Sequence, residues 1–179
     1  MTAIPFLTDL TLPTVAILFV AAVAATTDLR TRRIPNVLTF PAAAAAFGYF
    51  LAAYGLPGLG WSAAGWAVGV LLFLPFFALG GLGAGDVKLL GALGAWLGPI
   101  GAVSLSFHTA IAGGVAALIV VLASGAFKQS FKNLWLLLMF WRTSGVRAMP
   151  GLTLQTSNSP RLAYGVPIAL GALITLWRG

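Results

Sequence analysis

Long uncharged apolar runs, separated by short polar or Gly/Pro-rich breaks, limit what this chain can fold into more than any other feature. Leu10 to Thr27 and Ser62 to Leu79 carry no charge at all. A helix needs about 20 such residues to cross roughly 30 Å of hydrocarbon. With 60% hydrophobic residues and only 7% charged, a water-soluble domain of this size could not cover its own apolar surface. The expected class is an all-α polytopic membrane protein, a single membrane-embedded domain over residues 1–179 with no internal repeat.

Six spans are expected. The first covers Leu10 to Thr27. The second runs from Val37 to Tyr54, where the alanine run Ala42 to Ala46 favours helix. The third covers Ser62 to Leu79. Leu89 to Phe127 is too long for one crossing, and "LGPIGA" (Leu97 to Ala102) supplies a turn within it. The fourth span is therefore placed at Gly85 to Leu97 and the fifth at Val103 to Ala126. The fourth is short for a bilayer, so the expectation there is a tilted, re-entrant or longer helix. Leu162 to Trp177 forms the sixth. The apolar stretch "LWLLLMFW" (Leu134 to Trp141) is too short to cross and reads as an interfacial helix flanked by Lys128, Lys132 and Arg142. With the Gly/Ser/Thr/Pro-rich loop after it, this non-spanning region covers about 128–161.

Cations set the orientation. Arg30, Arg32 and Arg33 follow the first span, Lys88 follows the third, and Lys128, Lys132, Arg142, Arg147 and Arg161 lie between the fifth and sixth. Six alternating spans put all of these on one side, the cytoplasmic face, with only Arg178 opposite. Both termini then face outward. A cleaved signal peptide is not expected, because its cations should precede the apolar core and here they follow it. The formal charge of +7 does not indicate nucleic acid, since the cations are scattered over short loops without interleaved aromatic residues. No cysteine is present and His108 is the only histidine. Disulfides, thiolate zinc sites and cysteine nucleophiles are thereby excluded, and neither metal nor cofactor is expected. A hydrogen-bonded packing role is the expectation for His108.

All the acidity of the chain is in three aspartates. Asp9 reads as a solvated flank. Asp28 closes the first span and Asp86 opens the fourth, which places both at one depth on the cytoplasmic side. An acid close to hydrocarbon is costly and marks a functional site by default. Two structural readings compete with that. Asp28 can cap a helix or pair with Arg30, Arg32 or Arg33, and Asp86 can N-cap its helix while pairing with Lys88. Brought together, however, two carboxylates cannot both ionise cheaply, so the pair offers an acid and a base at once. A water between them can then attack a peptide carbonyl. This is aspartyl-protease chemistry, and it uses no metal, thiol or serine. Gly80, Gly81, Gly83 and Gly85 leave bare backbone beside Asp86, either as access for a substrate strand or as an ordinary flexible link.

The stretches "TDLRTRRIPN" (Thr27 to Asn36) and "GAGDVKLLGALGAWLG" (Gly83 to Gly98) resemble the two signature regions of the type IV prepilin peptidases, which are GxGD intramembrane aspartyl proteases. "RLAYGVPIALGA" (Arg161 to Ala172) is similar to the start of that family's last span. The resemblance implies that Asp28 and Asp86 are the catalytic pair. It also implies a prepilin-like substrate whose basic leader is removed at the cytoplasmic boundary, with pilus assembly machinery as a further partner. Long family members carry a cysteine-bearing cytoplasmic region and methylate the new N-terminus. Here no cysteine exists and one span precedes Asp28, so methyltransferase activity is not expected. The short form most resembles the peptidases of Flp, or tight-adherence, pili.

Around the pair, Gly83, Gly85, Lys88, Arg33, Pro35, Asn36, Tyr164 and Gly165 are candidate substrate-binding or site-shaping residues. Asn36 also reads as an N-cap for the second span, and Lys88 as an interfacial anchor. Tyr164, Gly165 and Pro167 are equally explained by a bent start to the last span. Three alternatives stand beside the peptidase reading. One is a GxGD protease with a non-pilin membrane substrate. Another is a small proton-coupled transporter using the same two aspartates, although transport sites tend towards the bilayer midplane. The third, a structural subunit of a secretion assembly, leaves the paired acids unexplained.

Overall fold

The computed structural model describes residues 11–125, 127–145, 147 and 163–178. Asp9, Arg161 and most of the expected polar loop lie outside them. Every regular element among the described residues is a helix: α1 (Leu12–Thr31), α2 (Asn36–Ala78), α3 (Ala84–Ala123), α4 (Phe127–Ser144) and α5 (Gly165–Arg178). Three of these, α1, α2 and α3, are long and apolar enough to cross a membrane.

A proline in its first turn starts α1, where a missing N–H costs nothing. The helix stops at Arg32, which adopts the left-handed conformation (φ 53°, ψ 32°) and donates its backbone N–H to the Asp28 carbonyl oxygen at 2.8 Å. Within the apolar run the threonines satisfy themselves: Thr27 Oγ1 donates to the carbonyls of Val23 (2.9 Å) and Ala24 (3.0 Å).

Straight helices as long as α2 (43 residues) and α3 (40 residues) would reach roughly 60–65 Å, about twice the hydrocarbon thickness. Each is instead broken by a glycine at positive φ, Gly55 (φ 66°) in α2 and Gly98 (φ 69°) in α3. Proline follows closely in both cases, as Pro57 and Pro99. Glycine tolerates the left-handed turn, and proline then starts the next helical segment. Both breaks are hairpins. A side chain at Gly58 would strike the Phe50 carbonyl, and one at Gly94 would lie 3.2 Å from the Ala102 Cβ. Residues eight apart on a straight helix are separated by roughly 12 Å. Each long helix thus has an outgoing and a return limb, 36–54 and 56–78 in α2, 84–97 and 99–123 in α3. The break expected over several residues at 97–102 is a single-residue turn, and that expected around residues 55–61 is equally tight.

Glycine also decides how the limbs pack. The return limb of α2 runs antiparallel to the outgoing limb of α3, and neither Gly65 nor Gly69 has room for a Cβ against the backbones of Gly94, Gly98, Leu90 and Gly91. Ser62 Oγ donates to the Ala95 carbonyl at 2.7 Å in the same interface. Close backbone approach through small residues is how helices gain packing where lipid removes the hydrophobic drive. The short outgoing limb of α3, a weak point for a helix expected to face lipid, is buried without interruption from Leu89 to Gly98. It is the core of the bundle, enclosed by other helices, so lipid thickness does not set its length. Trp96 Nε1 fixes its far end by donating to the Ala42 carbonyl at 3.0 Å, among the rings of Tyr49, Phe50 and Trp61.

Helix α5 packs against both α1 and α3. Thr175 Oγ1 donates to the Gly171 carbonyl (2.7 Å) and lies 2.9 Å from His108 Nδ1. With the threonine proton engaged, the histidine is the donor in that contact, so His108 joins α3 to α5 in a packing role. The expected interfacial helix at Leu134 to Trp141 is part of a longer one, since α4 begins at Phe127.

Candidate active site

Asp28 sits one turn before the end of α1 and is 6% exposed. Its Oδ2 accepts the backbone N–H of Gly165, the first residue of α5, at 2.7 Å. A helix start leaves its first N–H groups without partners inside the helix, and Asp28 supplies one from another helix. Gly165 is required for that approach. A Cβ there would lie 2.9 Å from the Asp28 Cβ and 3.2 Å from the Ala24 carbonyl oxygen.

Asp86 is the third residue of α3, and Gly83 is the N-cap. The alternative reading of Asp86 as the N-cap is therefore corrected by three positions. Its Oδ2 reaches back to accept the Gly83 N–H at 3.0 Å, the half of a capping box that a glycine N-cap permits. Gly85 lets this first turn lie on Ile34 in the α1–α2 link, with the place of a Cβ only 3.1 Å from the Ile34 Cβ and 3.3 Å from its carbonyl oxygen. The start of α3 is thereby seated on the segment that follows Asp28.

The start of α3 thus packs on the link that follows Asp28, and the start of α5 is tied to the same carboxylate through Gly165. Tyr164 precedes α5, and its hydroxyl packs where a Cβ of Gly113 would stand. Four elements therefore meet at one end of the bundle: the end of α1, the start of α3, the return limb of α3 and the start of α5.

Of the pairings offered as structural readings, the one between Asp86 and Lys88 gives way to another contact. Lys88 Nζ donates instead to Asn36 Oδ1 at 2.9 Å and lies 5.2 Å from the centre of the Phe40 ring. The N-cap role expected of Asn36 falls to Pro35, in extended conformation. The asparagine side chain faces the lysine because Asn36 is already the first helical residue. Arg33 is exposed in the link, and its carbonyl accepts from Thr31 Oγ1 at 3.2 Å. The site residues that sequence reasoning overlooked are Ile34, which seats Gly85, and Gly113, which receives Tyr164. Ile34 had one visible signal, as the lone apolar residue of "RRIPN". Gly113 had none, since its role depends on a contact across 51 positions.

A family model described as the type IV leader peptidase family matches residues 15–122, well over half of the chain. The chain belongs to the type IV leader peptidase family. No curated protein and no solved structure shows significant similarity to it. Membership makes this family member a membrane peptidase at the level of its class. The matched span holds Asp28, Asp86 and Gly113 but ends before Tyr164 and Gly165, so the place of α5 at the site rests on geometry.

As chemistry, the arrangement offers two carboxylates from different helices. Each has one oxygen held by a backbone N–H. Among these residues there is also no group of three or more His, Cys, Asp or Glu side chains that could hold a metal ion.

Proposed function

We propose that the protein is an aspartyl endopeptidase that removes the basic leader from prepilin-like membrane precursors, with Asp28 and Asp86 as the catalytic pair. The observation that carries this reading is the convergence of the two buried or half-buried carboxylates at one end of the bundle. In the reaction, the charged carboxylate takes a proton from a water as its oxygen attacks the peptide carbonyl carbon. The protonated carboxyl gives its proton to the carbonyl oxygen, producing a neutral tetrahedral diol. The carboxyl that gained the water's proton then protonates the leaving amine as the C–N bond breaks, and the diol returns a proton to the other carboxylate. The titration belongs to the pair, and neither residue is assigned one role.

The proposal includes six crossings: α1, the two limbs of α2, the two limbs of α3, and α5. Both termini face away from the cytoplasm, and the site faces the cytoplasmic side of a bacterial inner membrane. The substrate is of the Flp, or tight-adherence, type, and no methyl transfer follows cleavage. The acids sit at helix ends, on one end of the bundle, which favours a peptidase over a transporter with a site near mid-membrane.

The test is cleavage of a candidate prepilin by the purified protein in liposomes. Asp28→Asn keeps an acceptor for the Gly165 N–H and Asp86→Asn keeps one for Gly83, so both variants should fold. Each should lose processing by at least about a thousandfold, as expected when a catalytic group is removed. Processing that survives either substitution would overturn the pair.

A further inference from the structure

Helix α4 is unlike the other helices. It carries Lys128 and Lys132 one turn apart near its start and Arg142 near its end, all exposed. Phe131, Trp135 and Met139 recur every fourth residue and are 63%, 55% and 37% exposed. No acidic residue follows Asp86 anywhere in the sequence. Asp28 and Asp86 are held at the bundle by Gly165 and Gly83.

The position of α4 follows from α3. The return limb of α3, residues 99–123, is uncharged and spans roughly 37 Å, enough to cross the hydrocarbon and leave it. Gly125 then turns the chain with φ 65°. The outgoing limb of α3 begins at the opposite end from its hairpin, so α4 leaves the bundle from the end that holds Asp86. The exposed Arg30, Arg32 and Arg33 belong to that same end. A helix face that carries both apolar side chains and long-chain cations suits neither bulk water nor hydrocarbon. It suits the boundary between them. A stripe of three residues holds weakly and does not distinguish one lipid from another, but the cations call for a counter-charge that the acids of the bundle do not supply.

We infer that α4 lies on the bilayer surface and binds the headgroups of anionic phospholipids through Lys128, Lys132 and Arg142, with Phe131, Trp135 and Met139 set into the acyl boundary. A layer of negative headgroups there also offsets the cationic end of the bundle, allowing a basic leader to approach. That last consequence rests on the proposed function, whereas the lipid contact does not.

Because the chain has no cysteine, Met139→Cys gives a single thiol in the full-length protein. It would be labelled with a membrane-impermeant maleimide in vesicles of phosphatidylcholine alone and in vesicles also containing phosphatidylglycerol. Each cation near an anionic surface is worth about fivefold in partitioning, so three give on the order of a hundredfold. Labelling should slow by at least about tenfold in the anionic vesicles, and high salt should restore the fast rate by screening. Adding Lys128→Gln, Lys132→Gln and Arg142→Gln should abolish the difference, with the low-salt and high-salt rates of the single-cysteine protein as the internal reference. Equal labelling in both lipids overturns the inference. If fast, α4 is in water; if slow, protein or neutral lipid covers it. Protection that persists in the glutamine variant overturns it too.

Discussion

Replacing Gly165 with alanine tests whether the first turn of α5 sets the position of Asp28. The added Cβ would lie 2.9 Å from the Asp28 Cβ, 3.1 Å from its Oδ2 and 3.2 Å from the Ala24 carbonyl oxygen. Carbon atoms prefer a separation of about 3.5–4.0 Å, so α5 and the end of α1 must part by roughly 0.6–1 Å. The Gly165 N–H to Oδ2 hydrogen bond, now 2.7 Å, would then pass the useful limit of about 3.2 Å. Leaving the Gly165 N–H without its buried acceptor costs about 1–3 kcal/mol, and overpacking costs about 1–3 kcal/mol. Against these, alanine in a helix recovers about 0.5–1 kcal/mol relative to glycine. The balance is a destabilisation of roughly 1–5 kcal/mol.

Gly114 provides the control. A Cβ there meets nothing within 4 Å, so Gly114→Ala receives only the favourable part and should be neutral or slightly stabilising. Denaturation midpoints of both variants in detergent read the stability difference. Cleavage of a prepilin reads the consequence for the site, where a misplacement of about 1 Å should cost on the order of a hundredfold. A Gly165→Ala protein as stable and as active as Gly114→Ala would refute both the close approach and the use of Asp28.

Two further substitutions address the helices that hold the site. Gly65→Val should prevent the return limb of α2 from meeting the Gly94 carbonyl; loss of folded protein by size-exclusion chromatography in detergent is expected, with Gly60→Val, at an open position, unaffected. Lys88→Met removes the contact with Asn36 and should cost less than about 1 kcal/mol in denaturation midpoint, because an exposed polar contact contributes little.

Much of this arrangement was legible in the sequence for one reason: crossing a bilayer imposes a length and an apolar composition that can be counted. The helical class and the turns near Gly55 and Gly98 follow from that, whereas for Asp28 and Asp86 it gave only a shared side and not their separation. What could not be read is contact geometry. Asn36 looked like an N-cap because caps are judged by residue type, yet Pro35 takes that place and Lys88 takes the side chain. The outgoing limb of α3 looked too short because a span is assumed to face lipid. Its burial depends on glycines in two helices, Gly65 and Gly69 facing Gly91, Gly94 and Gly98, and no local pattern announces which glycines will meet. Gly165 was visible as a residue of the last motif, but nothing nearby revealed that its N–H would serve an aspartate 137 positions away.

The position of the site along the bundle follows from unequal limbs. The outgoing limb of α3, 84–97, rises roughly 20 Å, whereas its return limb, 99–123, runs roughly 37 Å. Their common turn at Gly98 forces the whole difference to appear at the end that holds Asp86. Gly113, against Tyr164, marks the level of the carboxylates on the return limb, and about ten residues, roughly 15 Å of helix, continue past it. Val115, Leu118, Ile119 and Leu122 on that extension are apolar and exposed, as a lipid-facing wall would be. The carboxylates are thus set back along the bundle from the end of α3, with the exposed Arg30, Arg32 and Arg33 beside them. Under the proposed function, this apolar flank beside a cationic end suits a scissile bond at the junction of an apolar helix and a polar leader.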